Sequence, residues 1–174
     1  MEIPTLRNPM TAIFAADENW GIGKDGGLPW PHNEEDMKWF RKTTLDNTVV
    51  MGRKTYESLG MEKGLDRRLN IVVSDTMEMT GSEFDQFLVR PMDVFMEDFP
   101  LSPIWTGPFP KVFMIGGVKM MEVCKPWIKN VWISRIAGDY ECDTFLDKDW
   151  ITENFVKKEL YHPSLNLEYW EIKE

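Results

Sequence analysis

An α/β fold built on a mostly parallel central sheet is what this sequence predicts, and three features predict it. Short apolar, β-branched runs alternate with helix-like stretches. Those runs are continuously apolar, as in strands covered on both faces. The pattern changes only near the C-terminal end, where apolar and polar residues alternate in the manner of an antiparallel hairpin. With 174 residues, no linker rich in Gly, Ser or Pro and no internal repeat, the expectation is a single domain over residues 11–174, preceded by an extension over residues 1–10.

In chain order, residues 11–16 (TAIFAA), 48–52 (TVVMG), 69–74 (LNIVVS), 111–117 (KVFMIGG) and 130–136 (NVWISRI) read as strands. Residues 34–44, 53–59, 92–99 and 118–125 read as helices between them, so βαβ crossovers and parallel neighbours follow. Residues 155–160 and 167–173 flank the turn-like His162-Pro163-Ser164 and form the predicted hairpin. With a short run at 87–90 the total comes to about eight strands. Residues 18–32 (ENWGIGKDGGLPWPH) carry four glycines and two prolines, which suits a surface loop beside a functional site. Residues 75–110 are long, acidic and weakly patterned.

Twenty Lys and Arg against 29 Asp and Glu give a net charge of −9, which argues against a nucleic-acid partner, since phosphate neutralisation carries most of that affinity. Cys124, Cys142, His32 and His162 lack the spacing of a metal site or a disulfide framework, so no metal is expected. No apolar run approaches the roughly 18 residues that span a bilayer, and residues 1–9 lack a signal-peptide core. A cytoplasmic protein with no membrane partner is expected. The charge is uneven: residues 75–99 hold seven acids and one base, residues 139–174 ten acids and four bases, leaving +3 for the remainder.

Two strand ends in that remainder run into helix starts through glycine. After Gly52, the residues Arg53, Lys54 and Thr55 occupy a first helical turn, where free N–H groups and basic side chains favour an anion. Gly116-Gly117 make the same turn before Val118, Lys119 and Met120. Two such cradles suit a dinucleotide, and the Arg53 guanidinium suits a 2′-phosphate, favouring NADP over NAD. Strand–Gly–helix junctions are also common without any ligand, and neither GxxxxGK nor GxGxxG occurs. Asp36 stands in the first turn of the 34–44 helix on the face of Phe40, beside Met37. It reads either as a third dipole-stabilising acid or as a buried carboxylate that hydrogen-bonds an amidine-like N–C–N edge.

These residues resemble the dihydrofolate reductase family from residue 11 to about residue 173. Ile13-Phe14-Ala15-Ala16 with Gly21-Ile22-Gly23, Leu28-Pro29-Trp30, Asp36-Met37-Lys38-Trp39-Phe40, the run from Val50 through Gly52-Arg53-Lys54-Thr55 to Leu59, Arg68 through Ser74, Ile115-Gly116-Gly117 and Asp143-Thr144-Phe145 follow in the family's order. The resemblance implies NADPH-dependent reduction of 7,8-dihydrofolate by a monomer, with hydride passing to pterin C6 and a proton to N5. It implies that Asp36 binds the pterin edge and promotes protonation through a water held by Trp30. Ile13, Ala15, Leu28, Phe40, Leu59, Ile115 and Ser134 are implied substrate neighbours, and Arg68 the partner of the glutamate tail. Ala16, Ile22, Gly23, Gly52, Arg53, Lys54, Thr55, Ser74, Asp75, Gly116, Gly117, Val118, Lys119 and Met120 are implied at the cofactor.

The chain departs from the family pattern at several points. Five residues separate Trp30 from Asp36. Ser134 replaces a usual threonine, and Met121 stands where many members carry tyrosine. Asp66-Arg67 replaces the usual Pro-Gly, which makes Arg67 a competitor for the role of Arg68. Asp75 brings a negative charge to the expected phosphate site. A non-catalytic binding protein of the same fold, or a reductase of another pteridine or a pyrimidine, are the alternatives.

Overall fold

The computed structural model describes residues 9–82, 85–98 and 109–174. Most of the expected N-terminal extension, the last residue of the expected 92–99 helix and part of the acidic 75–110 stretch lie outside these residues.

In chain order the elements are β1 (Met10–Ala16), β2 (Gly21–Gly23), α1 (Glu34–Thr44), β3 (Thr48–Gly52), α2 (Arg53–Leu59), β4 (Leu69–Val73) and β5 (Thr80–Ser82). They continue with β6 (Phe87–Arg90), α3 (Met92–Asp98), β7 (Val112–Gly116), α4 (Val118–Cys124) and a 3-10 turn (Lys125–Trp127). The last are β8 (Ile128–Arg135), β9 (Thr144–Phe145), α5 (Lys148–Asn154), β10 (Phe155–Leu160) and β11 (Asn166–Ile172). The fold is α/β, with nine strands in its main sheet; the strand beyond the eight expected is β5. Its three residues, Thr-Gly-Ser, carry no apolar pattern. The described chain forms two compact units, one of Thr44–Ile128 with the described residues up to Thr11, the other of Ala12–Thr43 and Lys129–Glu174.

In the first unit, here the parallel unit, the strand order is β7-β3-β4-β6-β5. β3 runs parallel to β4 and β7, and β4 parallel to β6, while β5 closes the edge antiparallel to β6. Every residue of β4 is buried, as a strand covered on both faces must be. Val49, Val50, Met51, Ile71 and Val72 expose nothing, and Phe95 of α3, also fully buried, meets Trp127 edge-on at 6.3 Å. Asn70 interrupts this apolar run. Its Nδ2 donates to the carbonyls of Leu65, Arg68 and Gln86, and its Oδ1 accepts from the Leu65 N–H at 2.8 Å. One strand residue thereby fixes the loop leading into its own strand.

In the second, the hairpin unit, the order is β10-β11-β8-β1. The expected hairpin is present, with Phe155 opposite Ile172 and Leu160 opposite Leu167, and β11 continues antiparallel onto β8. β2 pairs with β9 in a separate two-stranded ribbon. Trp39 of α1, Trp132 of β8 and Tyr169 of β11 form an aromatic ladder, with ring centroids 5.5 and 4.6 Å apart. Asp147 caps α5 by accepting the Trp150 N–H at 3.1 Å.

Candidate active site

The hairpin unit supplies a carboxyl in an unusual setting. Asn33 caps α1, its Oδ1 accepting the Asp36 N–H at 3.1 Å, and Glu34, Glu35 and Asp36 fill the first turn. Lys38 reaches back to Glu34 and Glu35 at 3.6 and 3.9 Å. Asp36 instead lies half-buried with no cation paired to it among the described residues. Burial pushes its carboxyl above the ordinary carboxylate value, against the smaller opposing influence of the nearby Ser134 hydroxyl. That hydroxyl lies outside hydrogen-bond geometry, so Ser134 Oγ is fully buried without a partner among the described residues. Buried hydroxyls are seldom left so, since an unmade hydrogen bond costs about 1–3 kcal/mol.

Trp30 is 7% exposed and meets the Tyr140 ring edge-on at 5.9 Å. Both line a cavity of about 440 Å³ with Pro31, His32 and Ile136. Ile13 is buried in β1, Ala15 and Phe40 are half-buried, and Leu28 is 64% exposed in the loop before α1. Ala16 ends β1 fully buried, and Ile22 and Gly23 lie in β2.

The parallel unit supplies cationic groups. At the junction of β3 and α2, Arg53 donates through Nε to Glu57 and through Nη1 to Thr76 Oγ1, each at 2.6 Å. Thr76 Oγ1 lies 3.2 Å from Ser74 Oγ, so a guanidinium and two hydroxyls converge at the end of β4. Thr76 escaped the sequence reading; two hydroxyl residues one apart directly after a strand are the available signal. Asp75, between them, turns its carboxylate away: Oδ1 accepts the Met92 N–H at 2.9 Å, at the start of α3. Lys54 and Lys119 are exposed, and Thr55 is half-buried.

At the second junction a Cβ added to Gly117 would meet only Thr55 Oγ1, at 3.8 Å, whereas one on Gly52 would press on Met120 Cγ at 3.2 Å. Met120 and Met121 are buried side chains, 3% and 2% exposed, so Met120 offers a ligand only its backbone. Val118, Leu59 and Ile115 are half-buried, and Gly116 is buried. The two arginines separate cleanly. Arg68 is 2% exposed, donating to Asp66 O at 2.8 Å and to Thr44 Oγ1 at 3.2 Å. Arg67 is a surface residue with φ +56°, paired to Asp46 at 3.1 Å. Among the described residues no three His, Cys, Asp or Glu gather as metal ligands, and both cysteines are free thiols.

Comparison with known proteins gives a consistent picture. The sequence model of the dihydrofolate reductase family matches residues 9–171. The dihydrofolate reductase of Schistosoma mansoni is 38% identical over 152 residues, covering 81% of this chain and 80% of its own. A bifunctional dihydrofolate reductase-thymidylate synthase of Glycine max is 33% identical over 83% of this chain, which spans only 29% of that longer protein. Among solved structures, dihydrofolate reductase from Enterococcus faecalis complexed with NADP(H) and RAB-propyl superposes with a TM-score of 0.72 at 26% identity, covering 97% of this chain and 99% of its own. The chain belongs to the dihydrofolate reductase family.

Proposed function

We propose that this chain catalyses the NADPH-dependent reduction of 7,8-dihydrofolate to 5,6,7,8-tetrahydrofolate. The observation that carries this reading is Asp36 beside Ser134: a carboxyl that burial holds toward its neutral form, next to a buried hydroxyl with no partner. A pterin brings the missing partners, its 2-amino group and N3 presenting donors to both oxygens.

Asp36 binds and orients that edge and promotes protonation at N5 through a water held by Trp30. Its raised pKa suits the task, because a group that keeps its proton closer to neutrality is the better acid at working pH. Ile13, Ala15, Leu28, Phe40, Leu59 and Ile115 supply apolar contact. Arg68 takes the glutamate tail's carboxylate through its guanidinium fork, with Arg67 as the competitor for that role.

The donors of the parallel unit fit the cofactor. Arg53, Ser74 and Thr76 match a phosphomonoester, with Lys54 and Thr55 beside them, while Asp75 Oδ1 accepts the Met92 N–H. Gly52, Gly116, Gly117, Val118, Lys119 and Met120 offer backbone and surface for the pyrophosphate, and Ala16, Ile22 and Gly23 for the nicotinamide end. Bound NADPH supplies the hydride that passes from its nicotinamide to pterin C6. In this reading residues 11–174 act as one catalytic domain, a cytoplasmic monomer with a small-molecule substrate and no nucleic-acid or membrane partner. Its net charge of −9 supports the exclusion of nucleic acid, and no described helix is long and apolar enough to cross a membrane.

The test mixes purified protein with NADPH and dihydrofolate and follows the cofactor's absorbance. Steady loss supports the reading, and cofactor binding without turnover overturns it. Asp36→Asn should lower turnover at neutral pH on the order of 10²-fold or more and recover part of it in acid, where solvent protonates the substrate. Arg68→Lys should raise KM for dihydrofolate about ten-fold with a smaller change in kcat, while Arg67→Ala leaves both unchanged; the reverse outcome assigns the tail to Arg67.

A further inference from the structure

The hairpin unit holds one polar group that the proposed chemistry does not use and that is nevertheless fully sealed from water: the carboxylate of Asp17, the residue after β1, with no exposed surface. Its Oδ1 accepts the N–H groups of Asn19 at 2.9 Å and Gly21 at 2.8 Å. Its Oδ2 accepts the Tyr140 N–H at 3.1 Å and the Cys142 thiol at 3.4 Å. Burial alone would raise its pKa, but the donors from Tyr140, Gly21, Asn19 and Cys142 together hold it below the ordinary value, so it stays ionised. The main chain repeats the arrangement. Asp17 O accepts from Arg135 Nη1 at 3.0 Å, and the Glu18 N–H donates to Gly138 O at 3.1 Å.

The two oxygens therefore face two different segments. Oδ1 shapes the turn into β2, where Ile22 and Gly23 lie; Oδ2 holds residues 140–142, whose Tyr140 ring stands edge-on to Trp30 at 5.9 Å. The packing is close, since a Cβ on Gly21 would collide with Cys142 Cβ and Sγ.

From this geometry we propose that Asp17 is a positioning residue for the reaction: its carboxylate clamps the β1–β2 turn to residues 140–142, setting the backbone of Ile22 and Gly23 for the cofactor and, through Tyr140, the indole of Trp30. This rests on the functional reading above, yet the clamp has readouts of its own. Its carboxylate is bonded to Asn19, Gly21, Tyr140 and Cys142, none of them assigned to dihydrofolate, so it should govern cofactor affinity and kcat and leave KM for dihydrofolate untouched.

Asp17→Asn is the discriminating variant. The amide keeps one oxygen for Asn19 and Gly21 but turns an NH₂ toward the Tyr140 N–H and the Cys142 thiol, which are themselves donors. The expected result is faster amide exchange at Tyr140 with exchange at Gly21 retained, a weaker Kd for NADPH, and kcat lower by about ten-fold or more, with KM for dihydrofolate within about two-fold. Tyr140→Leu is the companion: it keeps the backbone bond to Asp17 and removes only the ring edge from Trp30, so kcat should fall while the NADPH Kd holds. Accelerated exchange at Tyr140 with kcat and NADPH Kd within about two-fold of the parent overturns the proposal, as does a Tyr140→Leu protein with unchanged kcat should Asp17→Asn not fold. If the parent binds NADPH but shows no turnover, the functional reading fails alone; exchange and NADPH affinity then still decide the clamp, unchanged NADPH Kd in Asp17→Asn counting against it.

Discussion

In the parallel unit the loops are tied down by an amide, Asn70; in the hairpin unit, by a carboxylate, Asp17. Both side chains are fully buried and both collect backbone groups from loops. Asn70 mostly donates, because the loop ends around β4 present carbonyls: Leu65, Arg68 and Gln86. Asp17 only accepts, because the turn into β2 and residues 140–142 present N–H groups. An uncharged staple suits a scaffold that must hold at any pH, whereas an acceptor-only staple is strong while ionised and weak once protonated. The difference in chemistry thus becomes a difference in acid response between the two units.

The largest effect expected is from Asn70→Ala, which removes the side-chain partner of the Leu65 N–H and of the Leu65 and Arg68 carbonyls, leaves the Gln86 carbonyl with only the residue 70 N–H, and opens a cavity. It should cost about 3–5 kcal/mol by urea unfolding, nearly independent of pH. A loss under 1 kcal/mol would mean that the loop ends find other partners. Next is Asp17→Asn, at about 1–3 kcal/mol near neutrality. Folding lowers the Asp17 pKa, so its ionised form contributes stability that is complete above the ordinary value of 3.8 and is lost as pH falls through the lower native value. The gap between parent and variant should therefore stay level down to about that pH and narrow below it; a gap widening in acid would contradict the assignment.

Gly21→Ala should destabilise the hairpin unit measurably by thermal melting, with only part of the loss restored by adding Cys142→Gly, which removes the two closest atoms but leaves Asp17 Oδ1 at 3.0 Å and takes away the thiol bonded to Asp17 Oδ2. Gly27→Ala, with nothing within 4 Å, is the matched control. The smallest effects run in the opposite direction. Ser134→Ala removes an unpaired buried hydroxyl and should raise unliganded stability by about 1 kcal/mol. Asp36→Asn should raise the unliganded Tm as well: folding raises that pKa, so the native state holds the proton more tightly and ionisation at neutral pH costs stability. Both changes should lower activity, the usual exchange of stability for function at a binding site.

Most of the parallel unit was legible in the sequence because its strands are continuous apolar runs ended by glycine or serine. The expected 48–52 and 69–74 strands match β3 and β4 to within a residue, and the 53–59 helix matches α2. The hairpin was legible from alternation. β2, β5 and β9 were not, since two or three residues carry no periodicity. α5 had only its Asp147 cap to announce it. Within the candidate site, Arg53 and Asp36 stood out because charge at a helix start is a local signal. Thr76, and the different burial of Arg67 and Arg68, depend on contacts that no local pattern encodes: the two arginines are neighbours in sequence, yet Arg68 is buried on Thr44 and Arg67 lies on the surface. Asp17 was invisible for the same reason, since two of its donors come from more than a hundred residues away.

The aromatic ladder gives the two units separate optical signatures. Six of the eight tryptophans fall in the hairpin unit, and Trp39 and Trp132 stand 5.5 Å apart at 66°, close enough for their excited states to couple. Near-ultraviolet circular dichroism and tryptophan emission are consequently dominated by that unit, while far-ultraviolet ellipticity averages over the whole chain. A denaturation followed by both would report whether the amide-stapled and carboxylate-stapled halves melt together, and in acid which of them leaves first.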